Sequence, residues 1–169
     1  MNYASIRTCD IANGEGVRVT LFVSGCTHRC KGCFNRDQWD FGYGEPFTRE
    51  VEERIFEALD ACYVAGLSIL GGEPMEPENQ RALVPFLMRM RERFGDAKTL
   101  WVYTGCLIEE LKNPVSRWHT EATDQFLSMI DVLVDGPFVE ELKDISLQFR
   151  GSSNQRILRL REGERKTER

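Results

Sequence analysis

VRVTLFVSGCTHRCKGCF, Val17–Phe34, decides how the chain folds. Its first part, Val17–Val23, is short and rich in β-branched residues, which reads as a buried strand. A loop follows the strand directly and places Cys26, Cys30 and Cys33 in the spacing Cys-x3-Cys-x2-Cys. Thiolates are soft ligands that suit zinc, copper(I) or iron–sulfur clusters. A structural zinc site closes with four ligands, often from two separated Cys-x2-Cys pairs, and this chain has no second pair. His28 can in principle complete a tetrad with the three cysteines, as in a zinc-binding interaction module. Four ligands packed into Cys26–Cys33 make a cramped tetrahedron, however. An ordinary four-iron cluster takes four cysteines. Three on one tight loop can hold three irons and leave the fourth open, much as catalytic zinc keeps an open position for substrate. Gly25 and Gly32 let the backbone curl closely around a bulky group.

Outward from this loop the elements alternate. FTREVEERIFEALDAC (Phe47–Cys62) reads as a helix with Thr48 as N-cap and an apolar stripe of Val51, Ile55, Ala58, Leu59 and Cys62. LSIL (Leu67–Leu70) is a second strand, ended by Gly71 and Gly72. Pro77–Gly95 reads as an amphipathic helix with Gly95 as C-cap. Pro85 inside it predicts a kink or a false continuity. TLWVYTG, one or two helices between Leu107 and Ile130, DVLVDG (Asp131–Gly136) and QRILRL complete the series as third, fourth and fifth strands with their connections. Such alternation implies an α/β fold with mostly parallel strands. Ligands in these sheets sit beyond the carboxyl ends of the strands. The cysteine loop, GGEP (Gly71–Pro74), YTG and DG then share one rim. An eight-strand barrel needs about 200 residues or more, so a partial, open β/α barrel fits better. GGEP alone is an ordinary turn signal. Its bare backbone also lets a ligand approach closely, with carbonyls and the Glu73 carboxylate as acceptors for an ammonium group.

The chain has 169 residues, 41% apolar and 29% charged, with a formal net charge of -5. That is globular composition with no electrostatic reason to expect a nucleic-acid partner. The first residues lack a signal-peptide pattern, and no apolar run approaches the about 20 residues of a membrane helix. A cytosolic setting keeps thiols reduced, so the clustered cysteines point to a metal rather than to disulfides. Cys9, Cys62 and Cys106 are scattered and read as packing or incidental thiols. His119, at an expected helix start, reads as a surface or capping residue. Residues 1–160 are expected to form one domain, with a charged tail over 161–169.

CTHRCKGC followed by Phe34, with GGEP further on, resembles the radical S-adenosylmethionine enzymes. The resemblance implies that Cys26, Cys30 and Cys33 hold a 4Fe-4S cluster whose open iron is chelated by S-adenosylmethionine. It further implies that Gly32, Cys33 and Phe34, with Gly71, Gly72 and Glu73, contact that cofactor. Within those enzymes, DIANGEGVRVTLFVSGC, YTG, DVLVDGPFVEELKD and QFRGSSNQRI are similar to the activating proteins of the anaerobic (class III) ribonucleoside-triphosphate reductase. This likeness runs from about Asp10 to Ile157. It implies a partial barrel of the radical SAM type and a protein substrate, the large glycyl-radical subunit of the reductase. A flavodoxin-type electron donor is implied as well, and no catalytic side chain beyond cluster and cofactor. His28 would be a neighbour that tunes the cluster or a solvent-exposed bystander. Asp135 would contact the ribose or cap the segment after Gly136, and Arg150–Gln155 would lie near the cofactor or the partner. Glu15 stands where the family often has proline. The absence of lysine after Asp135 separates the chain from the pyruvate formate-lyase activases. A different small radical enzyme, such as a deazaguanine synthase, is the nearest alternative.

Overall fold

A computed structural model describes residues 1–161. Among them seven strands form one open sheet. Its middle is β2 (Val17–Val23), β4 (Val64–Gly71), β5 (Thr99–Tyr103) and β6 (Val132–Asp135), each parallel to the next. β1 (Asn2–Asp10) flanks β2 in antiparallel fashion, β3 (Glu45–Pro46) pairs with β1, and β7 (Arg156–Arg159) lies antiparallel on β6. The order is β3-β1-β2-β4-β5-β6-β7, and the end strands do not pair with one another. The expected α/β architecture with an unclosed, largely parallel sheet is therefore present. The antiparallel flanks add to it.

Alternation along the strands assigns the two faces. Val19, Leu21 and Val23, with Leu67, Ile69, Leu100, Val102 and Leu133, belong to one large core. Three helices pack onto that core: α1 (Arg49–Leu59), α2 (Pro77–Phe94) and α4 (Thr123–Met129). The intervening residues Trp101, Val132 and Val134 form a second, small cluster with Tyr103 and Phe149. Arg18, fully buried, belongs to the same alternate set on β2. It donates to Ser68 Oγ, Thr99 Oγ1 and the carbonyls of Glu15, Leu67 and Thr99, and its guanidinium lies over Trp101. Burial pulls its pKa down to about 10, so it stays charged at neutral pH. These bonds tie β2, β4 and β5 together. Gly66 is needed at the same crossing, because a Cβ there would collide with the backbone of Thr99. Gly66→Ala is expected to cost at least ~3 kcal/mol in urea unfolding, since backbone cannot step aside as a side chain can.

Several element boundaries differ from expectation. α1 ends at Leu59, and Cys62 is exposed in the turn beyond it rather than on the apolar stripe, which Phe56 completes instead. α2 runs on through Pro85. Pro85 is exposed, so the carbonyl that loses its amide partner is on the solvent side. The buried Leu83, Val84, Phe86 and Leu87 around it hold the helix to the sheet. Gly95 caps α2 with φ +53° and an N–H bond to the Arg91 carbonyl, as expected. Two short helices, α3 (Ile108–Leu111) and α4, fill the Leu107–Ile130 stretch. Among the described residues no helix is long and apolar enough to cross a membrane. The tail expected over 161–169 lies outside the described residues apart from Arg161.

Candidate metal and cofactor site

The parallel strands deliver their carboxyl ends side by side, and the backbone continues the pairing past them. Gly72 N–H donates to the Val23 carbonyl at 2.8 Å, and Glu73 N–H to the Gly25 carbonyl at 2.8 Å. Gly25 N–H and Cys26 N–H donate to Gln38 and Trp39 carbonyls, in a 3-10 turn, Arg36–Trp39, that closes the cysteine loop. This close approach requires glycine. Gly25 has φ +93°, and a Cβ on it would enter the Phe41 ring; a Cβ on Gly72 would lie 2.6 Å from the Gly25 carbonyl oxygen.

Cys26, Cys30 and Cys33 all line one cavity of about 510 Å³, with Gly71, Gly72 and Glu73 on its wall. Phe34 stands at the mouth, 70% exposed, tilted against Phe138 with Lys143 over its ring. Gly32 does not line the cavity. It turns the loop at φ +71° against the Glu140 side chain. Backbone amides point at the sulfurs: Asn35 N–H reaches Cys33 Sγ at 3.4 Å, those of His28 and Arg29 face Cys26, and that of Phe138 faces Cys30. Such donors favour electron-rich sulfur and shift cluster potentials. Burial pushes the Cys26 thiol up to about 12 and raises Cys30 as well, so ligation there must displace protons.

Glu73 is not a solvated turn residue: it is 1% exposed. Its Oε1 accepts Met75 N–H at 2.8 Å. Its Oε2 accepts Gly105 N–H at 2.8 Å and His28 Nε2 at 3.0 Å. His28 is thus turned inward and stacked on Trp118 at 4.6 Å. Burial opposes a charge on its ring, but the hydrogen bond and charge of Glu73 prevail and raise its pKa. Beside it lies Cys106 Sγ, 3.5 Å from Nε2. Those three residues bring their ligand atoms within 4.8 Å of one another, whereas Cys26, Cys30 and Cys33 form no such group. One tetrahedral ion with Zn–S near ~2.3 Å draws its sulfurs to within about 4 Å. The three thiols are not drawn in around one ion, and His28 faces Glu73 rather than completing their tetrad. Soft thiols spaced in this way, in a cavity of ligand-binding size, beside glycines that keep the wall bare, fit an iron–sulfur cluster with an organic ligand next to it.

Asp135 is withdrawn from that wall. It is fully buried, with Oδ1 and Oδ2 taken by Arg156 at 2.9 and 2.5 Å and Oδ2 also by Ile108 N–H at 2.9 Å. It therefore serves the start of α3, not the segment after Gly136; Gly136 itself lines the cavity. Arg150, Gly151 and Gln155 also line it, in a turn held by Gln155 through Gly151 N–H, Ser152 N–H and the Gly136 carbonyl. His119 bonds the Leu111 carbonyl at 2.7 Å, a capping contact. Cys9 and Cys62 are exposed, and Cys106 is buried.

Two buried side chains outside any motif lock the cysteine loop to the GGEP end. Glu76 Oε1 accepts the N–H and hydroxyl of Thr27, and Asn79 Nδ2 donates to the Ser24 and Glu73 carbonyls. Their only signal in sequence is polarity just where α2 begins its apolar run.

A family model described as a 4Fe-4S single cluster domain matches residues 12–158. The chain is 44% identical over 161 residues to the anaerobic ribonucleoside-triphosphate reductase-activating protein of Pasteurella multocida (strain Pm70), covering 94% of this chain and 98% of that protein. To the protein of that name from Escherichia coli (strain K12) it is 42% identical over 163 residues, 95% of this chain and 100% of the relative. The one from Enterobacteria phage T4 is 36% identical over 157 residues, 93% of each.

Proposed function

The chain belongs to the family of anaerobic ribonucleoside-triphosphate reductase-activating proteins, and from that premise we propose that it makes a glycyl radical on the large subunit of such a reductase. The observation that carries this reading is one cavity lined both by Cys26, Cys30 and Cys33 and by the bare strand end Gly71–Glu73. The three cysteines would ligate a 4Fe-4S cluster, and Gly71, Gly72 and Glu73 would receive the amino group of S-adenosylmethionine. Held there, such a cluster would supply one-electron reduction of the sulfonium, the chemistry that would generate a radical able to take a hydrogen atom from a glycine of the reductase.

The chain's own part is to bind, orient and exclude water. Cys26, buried at the end of β2, would fix the cluster to the rigid middle of the sheet. Cys30 and Cys33, half buried, follow on the loop that Glu76 and Asn79 hold down. The amides at the sulfurs support the reduced, more negative state. The open sheet, read as a partial barrel of the radical SAM type over residues 1–160, leaves a side through which a reductase loop reaches the cavity. A flavodoxin-type protein is the proposed electron donor, and the cytosol is the compartment that keeps these thiols reduced.

Anaerobic reconstitution tests the reading. The protein should take up about four iron and four sulfide per chain and, once reduced, release 5′-deoxyadenosine and methionine from S-adenosylmethionine. Stoichiometric zinc without sulfide would reject it. Cys62→Ser and Cys106→Ser should keep full iron and sulfide, because neither sulfur belongs to the ligand set; loss of the cluster in either would show that set to be incomplete.

A further inference from the structure

We propose that His28 is a positioning residue that holds the Glu73 carboxylate in register with the cluster loop, so that the cofactor's amino group meets Glu73 and the open iron at once. This rests on the function proposed above and adds a residue to it. His28 sits between Cys26 and Cys30; its Nε2 lies 3.0 Å from Glu73 Oε2, its hydrogen-bond and charge partner, and 3.5 Å from Cys106 Sγ. A carboxylate offers about four acceptor positions. Three are occupied, by Met75 N–H, Gly105 N–H and His28. About one is left for a donor inside the cavity that Glu73 lines. The direction of that last position depends on how the carboxylate is turned, and His28 is the side chain that turns it.

The imidazole itself is seated with little freedom. It stacks on Trp118 with ring centroids 4.6 Å apart and planes 19° from parallel, and the Arg117 guanidinium lies over Trp118 at 3.9 Å. Across from it Gly105 leaves room that only a bare backbone provides: a Cβ there would lie 2.8 Å from His28 Cδ2 and 2.9 Å from Nε2. The loop that carries the cysteines and the strand end that carries Glu73 are therefore joined by a side chain fixed on both sides. A donor lost from a charged acceptor is a large enough change to alter affinity about tenfold.

The test uses the cluster-loaded, reduced protein and follows the cluster's electron paramagnetic resonance signal as S-adenosylmethionine is added. His28→Phe keeps an aromatic ring for Trp118 and removes the donor. It should retain wild-type iron and sulfide but need about tenfold more cofactor for the same spectral change. His28→Gln restores a donor and should come within about threefold of wild type. Gly105→Ala keeps its own amide, displaces the imidazole, and should behave like His28→Phe. A His28→Phe protein that titrates like wild type would overturn the proposal. So would a His28→Gln protein as weak as His28→Phe, or loss of the cluster in His28→Phe, which would make His28 part of the cluster's housing. If the wild-type signal does not respond to S-adenosylmethionine at all, the function proposed above fails, rather than the role of His28 within it.

Discussion

Cys26→Ala is expected to yield a folded protein that holds no 4Fe-4S cluster and cleaves no S-adenosylmethionine. Cys26 follows directly on the end of β2 through Ser24 and Gly25, and its placement is set by backbone bonds that alanine keeps. Its N–H still reaches the Trp39 carbonyl, and Gly25 still bonds Gln38 and Glu73. The sulfur is a small buried group, so its loss costs about 1 kcal/mol of stability while removing one of the three proposed cluster ligands. Cleavage should fall about a thousandfold or more, as when one member of an interdependent catalytic set is lost. Circular dichroism checks the fold, and iron and sulfide analysis the cluster. Residual cleavage near wild type would mean that the three cysteines are not the ligand set.

Glu73→Gln should leave the cluster in place and abolish productive cofactor binding. The carboxylate is surrounded by three donors, from Met75, Gly105 and His28. An amide has one oxygen for them, so its NH₂ must face at least one N–H. That mismatch should cost about 2 kcal/mol of stability. The cavity also loses a negative charge and its last acceptor position, which should weaken S-adenosylmethionine by about a hundredfold, the worth of a charge-assisted bond. Urea unfolding reads the first effect and cofactor titration of the reduced cluster the second. A variant destabilised as expected but with unchanged cofactor affinity would make Glu73 a purely structural residue.

These two residues were accessible from sequence because local signals carry them. A β-branched run followed by clustered cysteines, and a short apolar run followed by two glycines, each mark a strand and its end without any knowledge of the rest. The parallel middle of the sheet follows from the alternation of such strands with helices. β1 leaves no such trace. Its burial does not alternate cleanly, only Tyr3 and Asp10 are buried, and its register with β2 shifts twice. β3 is two residues long. Pro85 reads as a break only while the helix is considered alone, since tertiary packing of its neighbours overrides the local cost. Arg18 reads as an ordinary member of a strand. Its role depends on carbonyls and hydroxyls brought from Leu67, Ser68 and Thr99, far along the chain.

The same limit applies within the site. Spacing groups Cys26, Cys30 and Cys33 because all three lie on one loop. It does not show that His28 meets Glu73, Gly105 and Trp118, which come from three other places in the sequence. Asp135 shows the converse. It stands at a strand end on the correct rim, yet Arg156 on the neighbouring strand and the first amide of α3 draw its carboxylate away from the cavity.

The most direct measurement is an electron paramagnetic resonance spectrum of the anaerobic reductase large subunit after incubation with this protein, reduced and cluster-loaded, and S-adenosylmethionine. The predicted result is the doublet of a glycyl radical on the large subunit, absent when Cys26→Ala replaces the wild type. Cofactor cleavage without any doublet would contradict the account.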